Sequence, residues 1–283
     1  VRAICILALA LLNPHACVVD AHAHDRQFLT SFEIGDQGGV IVPVAVNGRG
    51  PFRFLLDTGS THSAVSEAIA GDLGAPVVAR AVVSSAVGGD ERTVIRIHRL
   101  QHGVLTVSNI LASVVDLAGI DRNGAIDGIL GQDVLASLHY TIDFRHRTVL
   151  WWPEASDVGS GTAFVLEPSA GRFLVALPQP KTVLRLVPDS GAGALLLFEE
   201  RGLPVTILPE RAELRTLTAR TTVRHARLRE LHVGGTMLRD VAAVVVGRHE
   251  SIPPDTDGLL PLHLFERVTF DGPRRILILG RAA

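Results

Sequence analysis

From about residue 28 onward the chain is written in short apolar runs separated by turn residues. The runs 40–46, 52–56, 94–100 and 104–107 are rich in Val, Ile, Leu, Phe and Thr, and Gly, Pro, Asn and Asp break the text every several residues. Branched and aromatic residues suit a pleated, half-buried surface, so this spacing predicts an all-β sandwich or barrel. Asn47-Gly48 falls between two such runs, where a tight hairpin turn needs residues that tolerate positive φ. Helical text is scarce; residues 63–73 form the one short candidate, closed by Gly74. No later run is apolar for long enough to cross a bilayer as a helix.

The apolar pattern repeats. Residues 100–115 lie ungapped on 231–246, pairing Gly103 with Gly234, Asn109 with Asp240, Ala112 with Ala243 and Val114-Val115 with Val245-Val246. Asp127-Gly128-Ile129-Leu130 then matches Asp257-Gly258-Leu259-Leu260, and Thr141-Ile142-Asp143 matches Thr269-Phe270-Asp271. A period this long is a duplication of a whole unit and not a solenoid repeat. The predicted halves are residues 32–152 and 162–280, joined by a linker at 153–161 that is rich in Gly, Ser and Asp.

At 283 residues with 47% hydrophobic and 20% charged content, the chain can bury a substantial core in one large domain or two lobes. A formal net charge of −2 provides no global field for nucleic acid or an anionic membrane, so neither is expected as a partner. Residues 1–23 have the layout of a secretory signal peptide: Arg2, the apolar run 3–12, then Ala21-His22-Ala23 as the cleavage pattern. The alternative is a buried N-terminal helix. A secreted or periplasmic protein is expected. Lipidation at Cys17 is not, because Pro14-His15-Ala16 lacks the apolar residue that a lipid-attachment box wants. Both cysteines, Cys5 and Cys17, precede the predicted cleavage, which leaves the mature chain without thiols. His98 and His102 are four apart, but in strand-and-turn text that spacing does not put them on one face, so no metal is expected. Gly191-Ala192-Gly193 lacks the third glycine and βαβ context of a dinucleotide loop, and no cofactor is expected.

The chemistry-bearing feature is an apolar strand that runs into Asp, a small hydroxyl residue and Gly, twice: Leu56-Asp57-Thr58-Gly59-Ser60 and Pro188-Asp189-Ser190-Gly191-Ala192. Gly59 and Gly191 allow a tight turn and close backbone approach. The Thr58 and Ser190 hydroxyls are suited to hydrogen-bond the facing turn. A pseudo-twofold axis between the halves would bring Asp57 opposite Asp189, where two like charges cannot both ionise and one proton is shared. Such a pair can activate water by general base and general acid action. Asp127, Asp257, Asp143 and Asp271 are expected to hold local turns.

These residues resemble the pepsin/retropepsin superfamily of aspartic peptidases, in particular secreted bacterial members with a retropepsin-like unit. Asp57-Thr58-Gly59-Ser60 matches that superfamily's D-T/S-G-S/T/A motif, Gly128-Ile129-Leu130-Gly131 its downstream signature, and Asp189-Ser190-Gly191-Ala192 a second copy of the first. The resemblance covers nearly all of the chain after residue 23. It implies two pseudo-symmetric, six-stranded-type barrel lobes around a cleft, with Asp57 and Asp189 as the catalytic pair. Thr58, Gly59, Ser60, Ser190 and Gly191 would support the pair, with Ser60 offering its hydroxyl to its own Asp. It further implies one flap, from the first half, with Val87, Gly88 and Gly89 at its tip. The expected activity is that of a monomeric aspartic endopeptidase acting on peptide or protein substrates. Departures from the pattern are Pro261 in place of the last glycine of the second signature, Pro188 before Asp189, Ala192, and a flap without Tyr. They motivate an alternative, a decayed peptide-binding or envelope scaffold of the same fold.

Overall fold

Each Asp motif closes a strand of its own mixed sheet, and the two sheets are built in the same order. The computed structural model describes residues 2–4, 9–10, 18–19, 27–86, 88–118, 120–152, 160–198, 203, 205–216 and 220–283. In the first sheet the hydrogen-bonded order is Leu9–Ala10, Val77–Ser85, Gly88–His102, Leu105–Val115, Ala64–Ser66, Gly128–Leu130, Arg49–Leu56, Val40–Val46 and Glu33–Ile34. The second sheet runs Arg2–Ile4, Val205–Arg215, Arg220–Val233, Thr236–Val245, Leu195–Leu197, Gly258–Pro261, Val183–Asp189, Arg172–Pro178 and Glu167–Ser169. Corresponding strands pair with corresponding partners: Leu55 lies parallel to Ile129, and Val187 to Leu259.

The duplication visible in the text recurs in the backbone. Gly103 and Gly234 have φ of 57° and 58°, and Asn109 and Asp240 have φ of 59° and 52°, a left-handed conformation that Asn and Asp tolerate better than most residues. Asp127 accepts from the Arg53 backbone N–H at 2.8 Å, and Asp257 from that of Arg185 at 2.9 Å. Both acids therefore hold local backbone, each tying the strand of an Asp motif to the loop before the next signature.

A third, six-stranded sheet joins the halves in the order Thr162–Val165, Ile276–Leu279, Arg267–Asp271, His139–Asp143, Thr148–Trp151 and Phe28–Ser31. Its two central strands are antiparallel, with Thr141 opposite Thr269 and their hydroxyls 2.7 Å apart. These two threonines are a matched pair in the duplication, so the pseudo-twofold axis passes between them. Buried Tyr140 stacks on Phe270 at 5.2 Å, and buried Trp151 ends its strand with Nε1 on the Thr30 hydroxyl at 3.0 Å. Alternation along these strands sends every second side chain into one large apolar core.

The all-β architecture agrees with the sequence reading. Asn47 and Gly48 take φ of 50° and 78° at the hairpin between Val40–Val46 and Arg49–Leu56. The helix is shorter than expected. Residues 64–66 form a strand, and the helix spans Glu67–Leu73, with Ser66 accepting from the Ile69 N–H and Gly74 closing it at φ 53°. Among the described residues no helix is long and apolar enough to cross a membrane. Most of the predicted signal segment, residues 153–159 of the predicted linker, and Val87 lie outside the described residues.

Candidate active site

Asp57 and Asp189 are each the last or next residue of a strand, turned at once by the glycine two positions on. Asp57 Oδ1 accepts from the N–H groups of Gly59 and Ser60 at 2.9 and 3.1 Å, and Asp189 Oδ1 from those of Gly191 and Ala192 at 2.7 and 2.9 Å. The two turns are locked across the axis. Thr58 Oγ1 donates to Pro188 O at 2.7 Å and accepts from the Ser190 N–H at 3.0 Å. Reciprocally, Ser190 Oγ donates to Leu56 O at 2.6 Å and accepts from the Thr58 N–H at 3.1 Å. Four buried hydrogen bonds thus fix one acid relative to the other. Replacing Thr58 with Val keeps the shape but strands the Pro188 carbonyl and the Ser190 N–H. The expected cost is about 2–4 kcal/mol, read as a lowered urea midpoint; an unchanged midpoint contradicts the lock.

Each glycine lies against the opposite acid. A Cβ on Gly59 would fall 2.5 Å from Asp189 Oδ2, and one on Gly191 would fall 3.2 Å from Asp57 Cγ. Both carboxyls are fully buried, and among the described residues neither Oδ2 receives a protein hydrogen-bond donor. The outer oxygens are left to each other and to whatever enters between them. Burial pushes both carboxyls up, and the Asp189 charge raises Asp57 further, well above the usual carboxylate range. The backbone donors at Oδ1 pull the other way on both.

Sequence reasoning missed the asymmetry between the two acids. Arg172 opens the strand Arg172–Pro178, whose register sets Val175 opposite Leu186. Carried on by three residues, that register brings Arg172 across from Asp189. The first half has Gly39 in the corresponding place, since Val40 lies opposite Leu56. Arg172 is 2% exposed, and its positive charge draws the Asp189 carboxyl down against burial. Arg172 thus favours the charged form of Asp189, and the two acids are not equivalent. The text alone does not show it: at the spacing of the two Asp motifs Gly39 falls on Gly171, and only the strand registers set Arg172 in the place of Gly39.

Two expectations need correction. Ser60 donates its hydroxyl to His62 O at 2.9 Å and not to Asp57; its support runs through the backbone N–H. Ala192 does the same with its own N–H, so the missing hydroxyl there removes nothing from Asp189. The cover also differs from a single flap. Val77–Ser85 and Gly88–His102 form a hairpin in the first half, and Val205–Arg215 with Arg220–Val233 forms its counterpart in the second. Their tips meet, with the Thr216 hydroxyl donating to Ser85 Oγ at 3.0 Å, while Ser251 Oγ donates to Ser85 O at 3.0 Å. Glycines at the turn are thus not required for the second hairpin to reach the axis. Gly88 and Gly89 open the returning strand of the first hairpin. Val83 packs in an apolar cluster with Leu55, and Ala86 in another with Val187, so this hairpin bridges the strands that carry the two acids.

The departures at proline are absorbed locally. In the first half the Gly131 N–H donates to Ser63 Oγ at 3.2 Å. The corresponding residues of the second half are Pro261, which has no N–H, and Leu195, which has no acceptor, so nothing is left unpaired. Pro188 contributes the carbonyl that Thr58 uses. Gln132, another residue not singled out in the sequence, donates from Nε2 to Thr58 O at 2.7 Å and stiffens the first turn. Among the described residues no cluster of His, Cys, Asp and Glu has the arrangement of a metal site.

Residues 42–134 match the model of a family described as aspartyl protease. Among solved structures, an aspartic proteinase from Irpex lacteus superposes with a TM-score of 0.51 at 12% identity, over 91% of this chain and 98% of that one. A retropepsin-like aspartic protease from Rickettsia conorii superposes with a TM-score of 0.33 at 16% identity, over 50% of this chain and 96% of that one. No curated protein matches the chain.

Proposed function

We propose that this chain belongs to the aspartic peptidase superfamily and is an aspartic endopeptidase, a reading supported by its fold and by the match over residues 42–134. The observation that carries the reading is the pair of buried carboxyls, pinned through Oδ1 and opposed through Oδ2. Ionised Asp189 takes a proton from a water molecule held between the acids, and the resulting hydroxide equivalent attacks the scissile carbonyl carbon. Asp57 gives its proton to the carbonyl oxygen, so the tetrahedral intermediate forms as a neutral diol. Collapse of the diol returns a proton to Asp57, the proton on Asp189 passes to the leaving amine, and the C–N bond breaks. Each acid ends in its starting state. An extended peptide would lie beneath the two hairpins, with Val87, Gly88 and Gly89 belonging to the cover that excludes water. Thr58, Gly59, Ser60, Ser190 and Gly191 keep the acids in place. One chain supplies both acids, which is sufficient for a monomer with lobes at 32–152 and 162–280. The N-terminal segment 1–23 is read as an export signal, testable by the N-terminus of the exported protein.

The test is hydrolysis of an unbiased peptide pool followed across acid to neutral pH. Activity needs the singly protonated pair, so the profile is bell-shaped, with an acid limb where the first carboxyl ionises and an alkaline limb where the second does. Arg172→Met removes the charge that lowers Asp189. The carboxyl then ionises at higher pH, and the acid limb moves upward. No cleavage at any pH overturns the proposal. A limb that stays in place or moves downward removes Arg172 from it.

A further inference from the structure

The tip of the first hairpin is gripped by a loop of the second half, residues 246–257. Ser251 Oγ donates to Ser85 O at 3.0 Å, and beside it the Thr216 hydroxyl donates to Ser85 Oγ at 3.0 Å. Ser85 Oγ in turn donates to Gly88 O at 3.1 Å, across the turn, so a hold on Ser85 is a hold on the whole tip. The next residue, Ala86, is fully buried and shares an apolar cluster with Ile252 of the loop and Val187 of the strand that ends in Asp189. Both carboxyls are fully buried as well. With the tip seated in this way, an extended peptide passes between the hairpins and the acids only after the tip lifts.

The gripping loop is held in shape. Ser251 donates its backbone N–H to His249 Nδ1 at 3.2 Å. With the lone pair of that nitrogen engaged, the Ser251 hydroxyl, whose oxygen lies 2.9 Å from it, has Ser85 O as the acceptor for its proton. The Ile252 N–H donates to His249 O at 2.9 Å, and Arg248 donates to Pro253 O at 2.9 Å and Thr256 O at 2.8 Å. The first half uses the corresponding place differently. At the spacing of Asp127 and Asp257, Ser251 falls on Asp121, whose Oδ1 accepts from the N–H groups of Asp36 and Asn123 at 3.0 and 3.1 Å, inside its own half. The contact through Ser251 is therefore a property of one copy and not of the duplicated unit.

We infer that Ser251 is a positioning residue for the cover: its hydrogen bond to Ser85 latches the first hairpin onto the second half and sets how fast peptides enter and leave the cleft. The inference deepens the proposed peptidase reading and rests on it for what passes the latch, while the latch itself is tested separately. The tip closes again over a bound peptide, so the same bond breaks for binding and for release. Weakening it raises both rates together and leaves affinity nearly unchanged, whereas loss of an ordinary binding contact raises release alone.

The latch is read from a thiol placed at the tip. In Ala86→Cys the side chain is buried where Ala86 is and reacts with a maleimide only while the tip is lifted; mass mapping of the labelled peptides separates position 86 from Cys5 and Cys17. Adding Ser251→Ala is expected to raise the labelling rate at position 86 about two- to tenfold, the range of one hydrogen bond, and Ser251→Thr, which keeps the hydroxyl, restores the slow rate. Equal labelling with and without the Ser251 hydroxyl overturns the latch. In parallel, binding and release of a fluorescent peptide are timed by stopped-flow anisotropy on the Asp57→Asn chain. Ser251→Ala is expected to raise both rates by about the factor seen in labelling; unchanged rates, or release that rises alone, overturn the gating role. If the wild-type chain cleaves no peptide while labelling and both rates rise, the latch stands and the peptidase reading falls. If no peptide binds, labelling decides: acceleration upholds the latch, and equal rates overturn it.

Discussion

Asp57→Asn and Asp189→Asn each reduce peptide hydrolysis by about 10³-fold or more, the upper part of what a positioned acid or base contributes. Asn is nearly isosteric with Asp, and its amide oxygen can keep the two backbone N–H groups that hold Oδ1. What is lost is the ability of the outer position to give up or take a proton. On the proposed mechanism the two acids act as one unit, so the double variant is expected to fall no further than either single one. The fold does not depend on their ionisation. Burial raises the proton affinity of both carboxyls, and Asp189 raises that of Asp57 further; this is a cost to the folded state near neutral pH, and replacing one acid with a neutral amide relieves it. The thermal midpoint of either variant is therefore expected to equal or exceed that of the wild type near neutral pH. Measurement of kcat/KM together with the midpoint separates the readings. Lost turnover with retained stability is the enzyme; unchanged turnover in both variants excludes a dyad mechanism. A wild-type chain that binds peptides without cleaving them is the scaffold.

Much of this site was legible in the text because its parts are local. A strand ending in Asp, hydroxyl and Gly encodes its own turn, and the second copy at matching spacing implies a partner across an axis. The reciprocal bonds of Thr58 and Ser190 follow from that symmetry and from having a hydroxyl in each copy. What could not be read depends on which side chains meet after folding. The hydroxyl of Ser60 turned to His62 because the two backbone donors already fill Asp57 Oδ1. Pro261 departs from the pattern in the text, but with Leu195 in place of Ser63 the missing N–H has nothing to donate to. Residues 205–233 contain no glycine to mark a second cover in the text, yet Thr216 at the end of its strand reaches Ser85. Arg172 aligns with Val40 at the spacing of the motifs, and only its burial and its register against Asp189 give it a consequence.

The two turn glycines are equivalent in the sequence and not in space, so Gly59→Ala is expected to damage activity much more than Gly191→Ala. Neither glycine has a positive φ that would itself penalise a side chain, which leaves contact as the deciding factor. The new methyl at position 59 meets Asp189 Oδ2 at 2.5 Å and Cγ at 2.6 Å, distances that carbon atoms do not tolerate. Asp189 cannot swing aside cheaply, because Oδ1 is held by the Gly191 and Ala192 N–H groups at 2.7 and 2.9 Å. The carboxyl must shift by a sizeable fraction of an ångström or break those bonds, and misplacement of that order costs about 10²-fold in rate. At position 191 the nearest atoms are Asp57 Cγ at 3.2 Å, with Asp57 Oδ2 and Leu55 Cδ2 at 3.3 Å. A displacement of a few tenths of an ångström relieves these contacts, so a severalfold loss is expected, about one order of magnitude at most. Measured as kcat/KM on one peptide with the thermal midpoint as control, the order of the two effects decides the matter. Equal losses, or a larger loss at Gly191, would mean that the acids are not set against each other's turns with the asymmetry described.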